Sequence, residues 1–91
     1  MEIEYNLEKD ARNTEERGIS FAEAERFEWG SALIIPDRRR DYGEPCYRAF
    51  GFIDERLHAL VFTPRKESIR IISLRRANRR EVIRYEEKTQ S

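Results

Sequence analysis

Between residues 68 and 85 the chain reads SIRIISLRRANRREVIRY, an apolar run followed by a strongly basic segment. The run from Ile69 to Leu74 is almost continuously apolar, which is typical of a strand covered on both faces. Asn78 can cap a following helix, and Glu81, three residues later, can complete a capping box. The pattern therefore predicts a buried strand that leads directly into a helix over about residues 79–88.

Three further apolar segments precede this strand, at residues 32–35, 46–53 and 57–63. Alternate residues of segment 46–53 predict two distinct faces, as in a strand inside a sheet. The connections at 54–56 and 64–67 are too short for crossover helices, so the strands that they join are expected to pair antiparallel.

The N-terminal third predicts one short strand and a helix that starts at a clear cap. Residues 2–5 alternate between apolar and acidic, and Asn6 can cap a helix over residues 7–17 that ends at Gly18. The inner face of this helix is predicted to carry Leu7, Ala11 and Thr14.

A second helix is predicted over about residues 21–28, because Ser20 and Glu23 form a capping-box pattern. Its core face is predicted to carry Phe21, Ala24 and Phe27. The sum is an α+β fold: a mainly antiparallel sheet of about four to five strands, with an N-terminal helical hairpin and a C-terminal helix packed on it. Residues 1–91 are expected to form one domain.

Charge is unevenly distributed along a chain whose net charge is zero. Residues 1–28 hold nine acids and four bases, whereas residues 65–84 hold eight bases and two acids. The basic stretch is suited to a phosphate backbone, although a solvated helix face explains it equally well. Apolar runs are too short for a membrane span, and no signal peptide is recognisable. Together with a single cysteine, Cys46, this predicts a cytoplasmic protein without disulfides.

The ionisable side chains suggest RNA chemistry without a metal or a cofactor. Cleavage by the 2′-hydroxyl needs a base, an acid and cations around the phosphorane. Arginines at positions 48, 65, 70 and 75 lie in or beside strands, where each needs an internal acid or a ligand phosphate. Glu81 is a candidate base, although a capping or salt-bridge role explains it better, and Tyr85 can contact a phosphate or pack. Lone His58 and Cys46 are better explained as structural residues.

Several motifs together resemble the BrnT family of bacterial toxins. They are Y-N-x-x-K-x-x-x-N over residues 5–13, G-I-S-F-x-x-A over 18–24, R-x-x-G over 48–51, T-x-R over 63–65 and R-I-I-S-x-R-x-A-x-x-x-E-x-x-x-Y over 70–85. The family often has Lys-His where this chain has Glu16-Arg17, and Trp-Asp where it has Tyr5-Asn6. If that histidine is needed for catalysis, this chain lacks it.

The resemblance implies a RelE-like fold and a metal-independent endoribonuclease that arrests translation. It also implies a BrnA-like antitoxin with a ribbon-helix-helix DNA-binding domain, so that the toxin contacts operon DNA only indirectly, through the antitoxin. The candidate catalytic residues are Lys9, Arg48, Arg75, Glu81 and Tyr85. The candidate RNA-binding residues are Arg65, Arg70, Arg76, Arg79 and Arg80.

Two other hypotheses remain open from the residues alone. One is a non-catalytic RNA- or antitoxin-binding protein, a degenerate toxin that acts mainly in operon autoregulation. The other is a purely structural domain whose arginines are all internally paired, which predicts negligible, salt-insensitive RNA binding.

Overall fold

The computed structural model describes residues 2–90, which contain a five-stranded sheet and two main helices. The elements are β1 (Glu2–Glu4), α1 (Leu7–Arg17), 3-10 helices at Phe21–Arg26 and Trp29–Ser31, β2 (Leu33–Pro36), β3 (Tyr47–Ile53), β4 (Arg56–Pro64), β5 (Ser68–Arg76) and α2 (Arg79–Thr89). The strand order is β1-β5-β4-β3-β2. The pairing of β1 with β5 is parallel and the other three pairings are antiparallel, so the sheet is mixed. The predicted α+β class is confirmed.

The segment predicted as a second α-helix is a 3-10 helix over Phe21–Arg26. Its three core residues, Phe21, Ala24 and Phe27, are spaced by three, and all are buried. A 3-10 helix has three residues per turn, so this spacing stacks them along one line toward the sheet. The predicted core residues are confirmed, while the predicted helix type is wrong.

The predicted inner face of α1 is also wrong. Leu7 is 76% exposed, and Ala11 and Thr14 are exposed as well. The residue that α1 buries is polar: Asn13, at 8% exposure. Polar anchoring explains the sparse apolar pattern, because Asn13 and Asp10 attach the helix by hydrogen bonds to neighbouring backbone.

Two apolar clusters flank the sheet. The larger cluster joins the first 3-10 helix to residues such as Ala49, Leu60 and Leu74. The smaller one joins Phe50, Leu57 and Ala59 to Tyr85 of α2. Alternation along β3 and β4 assigns their residues to these two faces, as their sequence pattern predicts.

β5 departs from the expected continuous burial at Ile72. The register between β4 and β5 shifts between Val61 and Phe62, which pair with Ser73 and Ile71. Ile72 is therefore an extra residue in a β-bulge, and it is only half-buried.

Neither main helix within residues 2–90 has the length and the hydrophobicity of a membrane-spanning segment.

Candidate functional site

A groove of about 430 Å³ runs between α1, the outer edge of β5 and the segment 37–42. We call it the basic groove, because its described lining carries six cations and one carboxylate, Glu16. The lining residues are Lys9, Arg12, Asn13, Glu16, Arg17, Phe21, Arg39, Arg40, Tyr42, Val61, Ile72, Ser73, Leu74 and Arg75.

One wall of the basic groove is a face of α1. Lys9, Arg12, Asn13 and Glu16 are three or four residues apart, so they share that face. Asn13 sets the position of this wall: its side-chain nitrogen donates to the carbonyls of Ile19 at 2.9 Å and Leu74 at 2.8 Å. The helix therefore holds its cations beside β5.

The floor of the basic groove is the part of β5 that β1 leaves uncovered. β1 pairs only with Ser68, Ile69 and Arg70 of β5. Beyond Arg70, the outer edge of β5 faces the groove, and the side chain of Asn13 occupies the place of a neighbouring strand at Leu74. Arg75 lies on this floor near the end of the strand.

The opposite wall is a charged turn organised around a buried carboxylate. Asp37 accepts hydrogen bonds from the backbone N–H and the guanidinium of Arg39, and from the hydroxyl of Tyr42 at 2.8 Å. The Arg39 guanidinium holds the pKa of Asp37 well below its usual range, while burial and the bond to Asp37 raise the pKa of Tyr42. Arg40 lies over the Tyr42 ring at 5.4 Å. This turn thereby places two arginines at the groove.

Arg75 and Glu81 form a forked ion pair at the junction of β5 and α2. Both nitrogen–oxygen distances are 2.8 Å. Glu81 also accepts from the backbone N–H of Asn78 at 2.9 Å, which completes the predicted capping box. The Arg75 hydrogen bonds lower the pKa of Glu81, and Glu81 in turn raises the pKa of Arg75. The Glu81 carboxylate is therefore ionised, and it is a weak base because both of its oxygens already accept hydrogen bonds from Arg75.

Arg48 and Tyr85 lie outside the basic groove, in a second depression of about 400 Å³. We call it the apolar hollow; it is lined by Leu33, Ile35, Arg48, Phe50, Glu81, Arg84, Tyr85 and Lys88. Arg48 Nε is buried and has no hydrogen-bond partner within residues 2–90. Tyr85 is buried and donates its hydroxyl to the carbonyl of Ser31 at 2.6 Å. Glu81 lines this hollow while its partner Arg75 lines the groove.

The five candidate RNA-binding arginines are dispersed. Arg65 and Arg70 share an ion pair with Glu4 at the start of β5, and Arg65 also pairs with Glu44 at 2.6 Å. Arg76 is exposed and lines a different depression, near His58. Arg79 and Arg80 are exposed on the first turn of α2.

Sequence reasoning missed four of the six groove cations, namely Arg12, Arg17, Arg39 and Arg40. For Arg12, the available signal was its three-residue spacing from Lys9 on one predicted helix. For Arg39 and Arg40, the signal was a run of arginines next to an aspartate that could order the turn. His58 lies elsewhere: it is buried, bonds the carbonyl of Arg56, and has a pKa lowered by burial.

Across residues 2–90, no three His, Cys, Asp or Glu side chains are grouped to hold a metal ion. Cys46 is buried and unpaired, and burial raises the pKa of its thiol. The ionisable side chains that line the basic groove are five arginines, one lysine, one tyrosine and Glu16, and one of these arginines, Arg75, is paired with Glu81.

The fold and the groove define a class: a small α+β protein with a cationic groove suited to a polyanion. A family model for the ribonuclease toxin BrnT of type II toxin–antitoxin systems matches residues 5–81. The chain belongs to this family, as its motifs indicated. A search of the curated proteins found no match.

Proposed function

We propose that this chain is the toxin of a type II toxin–antitoxin pair and that it cuts RNA held in the basic groove. The observation that carries the proposal is the charge of the groove, whose described lining holds six cations and one carboxylate. Two of the cations, Arg39 and Arg75, are ion-paired with Asp37 and Glu81, so the positive excess comes from the other four. A phosphate backbone is the abundant polyanion in a bacterial cell, and its binding by lysine and arginine is strong and salt-dependent.

In the proposed reaction the 2′-oxygen of RNA bonds to the adjacent phosphorus while the bond from phosphorus to O5′ breaks. The products are a 2′,3′-cyclic phosphate and a 5′-hydroxyl. Arg75 stabilises the phosphorane with its forked donors, and Lys9, whose ammonium is a proton donor, protonates the departing O5′. The 2′-hydroxyl proton passes to Glu81.

Glu81 acts as the base only after RNA has engaged Arg75. While Arg75 holds both of its oxygens, Glu81 has a lowered pKa and accepts protons poorly. A phosphate that takes over the Arg75 donors releases the carboxylate and lets its pKa return toward the ordinary range. Arg48 and Tyr85 are positioning residues here, because Arg48 lies near Glu81 and Tyr85 anchors α2 through Ser31.

The peripheral arginines contribute secondary RNA contacts in this proposal. Arg76, Arg79 and Arg80 are exposed and require no rearrangement to meet a phosphate. Arg65 and Arg70 must first exchange Glu4 for a phosphate, and Arg65 must also leave Glu44, so their contribution is expected to be smaller.

The second candidate function is a degenerate toxin that binds RNA or antitoxin without cutting. Two observations favour it: the candidate base is ion-paired, and the positions where the family often has Lys-His, Glu16 and Arg17, both line the basic groove. A histidine at position 17 would sit where an acid–base group is needed.

The test is incubation of the purified chain with single-stranded RNA in EDTA, with analysis of the new ends. A ribonuclease yields cyclic phosphates. The variants Arg75→Ala and Glu81→Gln are expected to lose about 10²–10⁴-fold in rate, whereas Lys66→Ala, an exposed cation outside the groove, keeps the wild-type rate.

Three results would contradict parts of the proposal. Cleavage abolished by EDTA contradicts the metal-independent mechanism. RNA that binds but stays intact supports the degenerate toxin. Gain of cleavage by the double variant Glu16→Lys/Arg17→His would strengthen that conclusion. Absence of both binding and cleavage removes RNA as the ligand of the groove.

The remaining parts of the proposal follow the family. Residues 1–91 act as one RelE-like toxin domain in the cytoplasm, where cleavage of RNA arrests translation. A BrnA-like ribbon-helix-helix antitoxin neutralises the toxin and carries the complex to operon DNA. Induced expression with and without the protein of the neighbouring gene, followed by growth and RNA integrity, tests these statements together.

A further inference from the structure

We propose that the apolar hollow is the docking site of the antitoxin, and that its occupant is an acidic, apolar segment whose carboxylate pairs with Arg48. The inference rests on the proposed toxin function and goes beyond it, since it assigns neutralisation to a surface distinct from the basic groove.

The hollow combines an apolar floor with a charged rim. Leu33, Ile35 and Phe50 line it between the outermost strand, β2, and α2. About 400 Å³ of space accommodates one or two large apolar side chains of a partner.

Arg48 is the polar feature of the hollow that the described chain leaves unsatisfied. Its guanidinium carbon lies 5.8 Å from the Phe50 ring, and its Nε has lost solvent without gaining an acceptor within residues 2–90. A buried donor without a partner destabilises a fold, because its lost hydration is not replaced. A ligand carboxylate that accepts from Arg48 removes this penalty, and arginine is suited to bind it with two donors.

The charge of the rim selects an acidic occupant. Arg84 and Lys88 are exposed one turn apart on α2 and line the hollow with Arg48. The one carboxylate in the described lining, Glu81, is already neutralised by Arg75. The hollow therefore presents uncompensated positive charge around an apolar floor, which complements a segment that alternates acidic and apolar residues.

The location of the hollow connects docking to neutralisation. Glu81 lines the hollow and Arg75 lines the groove, so the ion pair separates the two sites. In our proposed reaction Glu81 must leave Arg75 when RNA binds. An occupant that packs against Glu81 keeps this pair closed and thereby opposes RNA cleavage without filling the groove.

The test uses the purified chain and the antitoxin encoded by the neighbouring gene, with affinity measured by calorimetry at two salt concentrations. The double variant Arg84→Glu/Lys88→Glu is expected to weaken antitoxin binding at least tenfold and to cleave RNA at the wild-type rate. The control Arg56→Glu/Lys66→Glu carries the same charge change on exposed residues outside the hollow and is expected to bind normally.

A second variant, Arg48→Met, gives a readout that misfolding cannot imitate. Methionine keeps apolar contact with the hollow and removes the unpartnered donor, so the melting temperature of the free chain is expected to hold or rise. Antitoxin affinity is expected to fall at least tenfold at the same time. A lowered melting temperature with unchanged affinity contradicts the role given to Arg48.

Several outcomes overturn the proposal. Affinity within twofold of wild type for Arg84→Glu/Lys88→Glu excludes the hollow, and selective weakening by Lys9→Glu/Arg12→Glu moves the antitoxin to the basic groove. Loss of self-association of the free chain, with antitoxin affinity unchanged, assigns the hollow to a second copy of this chain. Antitoxin binding is measured without RNA, so absence of cleavage by the wild type contradicts the proposed function and not the docking site.

Discussion

The side chain of Asn13 in α1 pairs with the backbone of Leu74 in β5 as a neighbouring strand would. It donates to the Leu74 carbonyl at 2.8 Å and accepts from the Leu74 N–H at 3.5 Å. The same amide nitrogen bonds the carbonyl of Ile19. One buried amide thus closes the open edge of β5 and positions the helix that carries Lys9 and Arg12.

Asn13→Ala is expected to lower the free energy of unfolding by about 1–3 kcal/mol, because buried backbone groups of Leu74 and Ile19 lose their partner. Denaturant unfolding measures the change. Thr14→Ala, on the exposed side of α1, is the control and should stay within about 0.5 kcal/mol of wild type. Equal effects of the two substitutions would show that the Asn13 bonds contribute little.

Gly51→Ala is expected to destabilise the protein by about 1–3 kcal/mol through overpacking. The ring of Phe27 lies against Gly51, and a β-carbon there would be 2.5 Å from Phe27 Cζ. Gly30→Ala meets nothing within 4 Å and serves as the matched control. Smaller destabilisation by Gly51→Ala in a Phe27→Leu background confirms the contact in a double-mutant cycle.

Glu55→Gly is expected to raise the free energy of unfolding by about 0.5–1 kcal/mol. Asp54 and Glu55 join β3 to β4 with φ angles of 49° and 67°, the left-handed region that favours glycine. Thermal denaturation detects the gain. Glu67→Gly, in the next turn and without a left-handed φ, should give no gain; a gain there would point to lost charge as the cause.

Stability is expected to fall in acid through Asp37 and Glu81. Hydrogen bonds from Arg39 and Arg75 lower the folded-state pKa of these two carboxyls. A lowered pKa contributes stability that is complete above the ordinary carboxyl range of about pH 4 and is lost as the pH falls through the folded-state value. Denaturant unfolding as a function of pH should show a shallower acid loss for Asp37→Asn than for wild type. Parallel curves would argue against a strong Asp37–Arg39 pair.

Local sequence patterns determined the elements whose causes are themselves local. Asn78 and Glu81 form the capping box read from their spacing, and alternation along β3 fixed which residues face each side. The stacking of Phe21, Ala24 and Phe27 shows a limit of this approach. Apolar spacing identified these core residues, yet it did not separate a 3-10 helix from an α-helix, because both are compatible with residues three apart.

The candidate site depended on contacts between residues far apart in sequence. Arg75 and Glu81 were identified from the sequence alone, because Arg75 lies near the end of the predicted strand and Glu81 caps the helix that begins directly after it. Arg12 and Arg39 were not, since their approach to Arg75 depends on Asn13 and Asp37, whose hydrogen bonds exist only in the folded chain.

Sequence alone thus determined the fold class, the family motifs and the local basic excess of residues 65–84. Tertiary structure decided which cations meet in one groove, and that Arg48 faces a different depression from Arg75. The physical reason is that burial and hydrogen-bond pairing of a charged side chain depend on surfaces supplied by distant segments. The sequence around an arginine does not indicate which distant side chain or ligand its guanidinium will pair with.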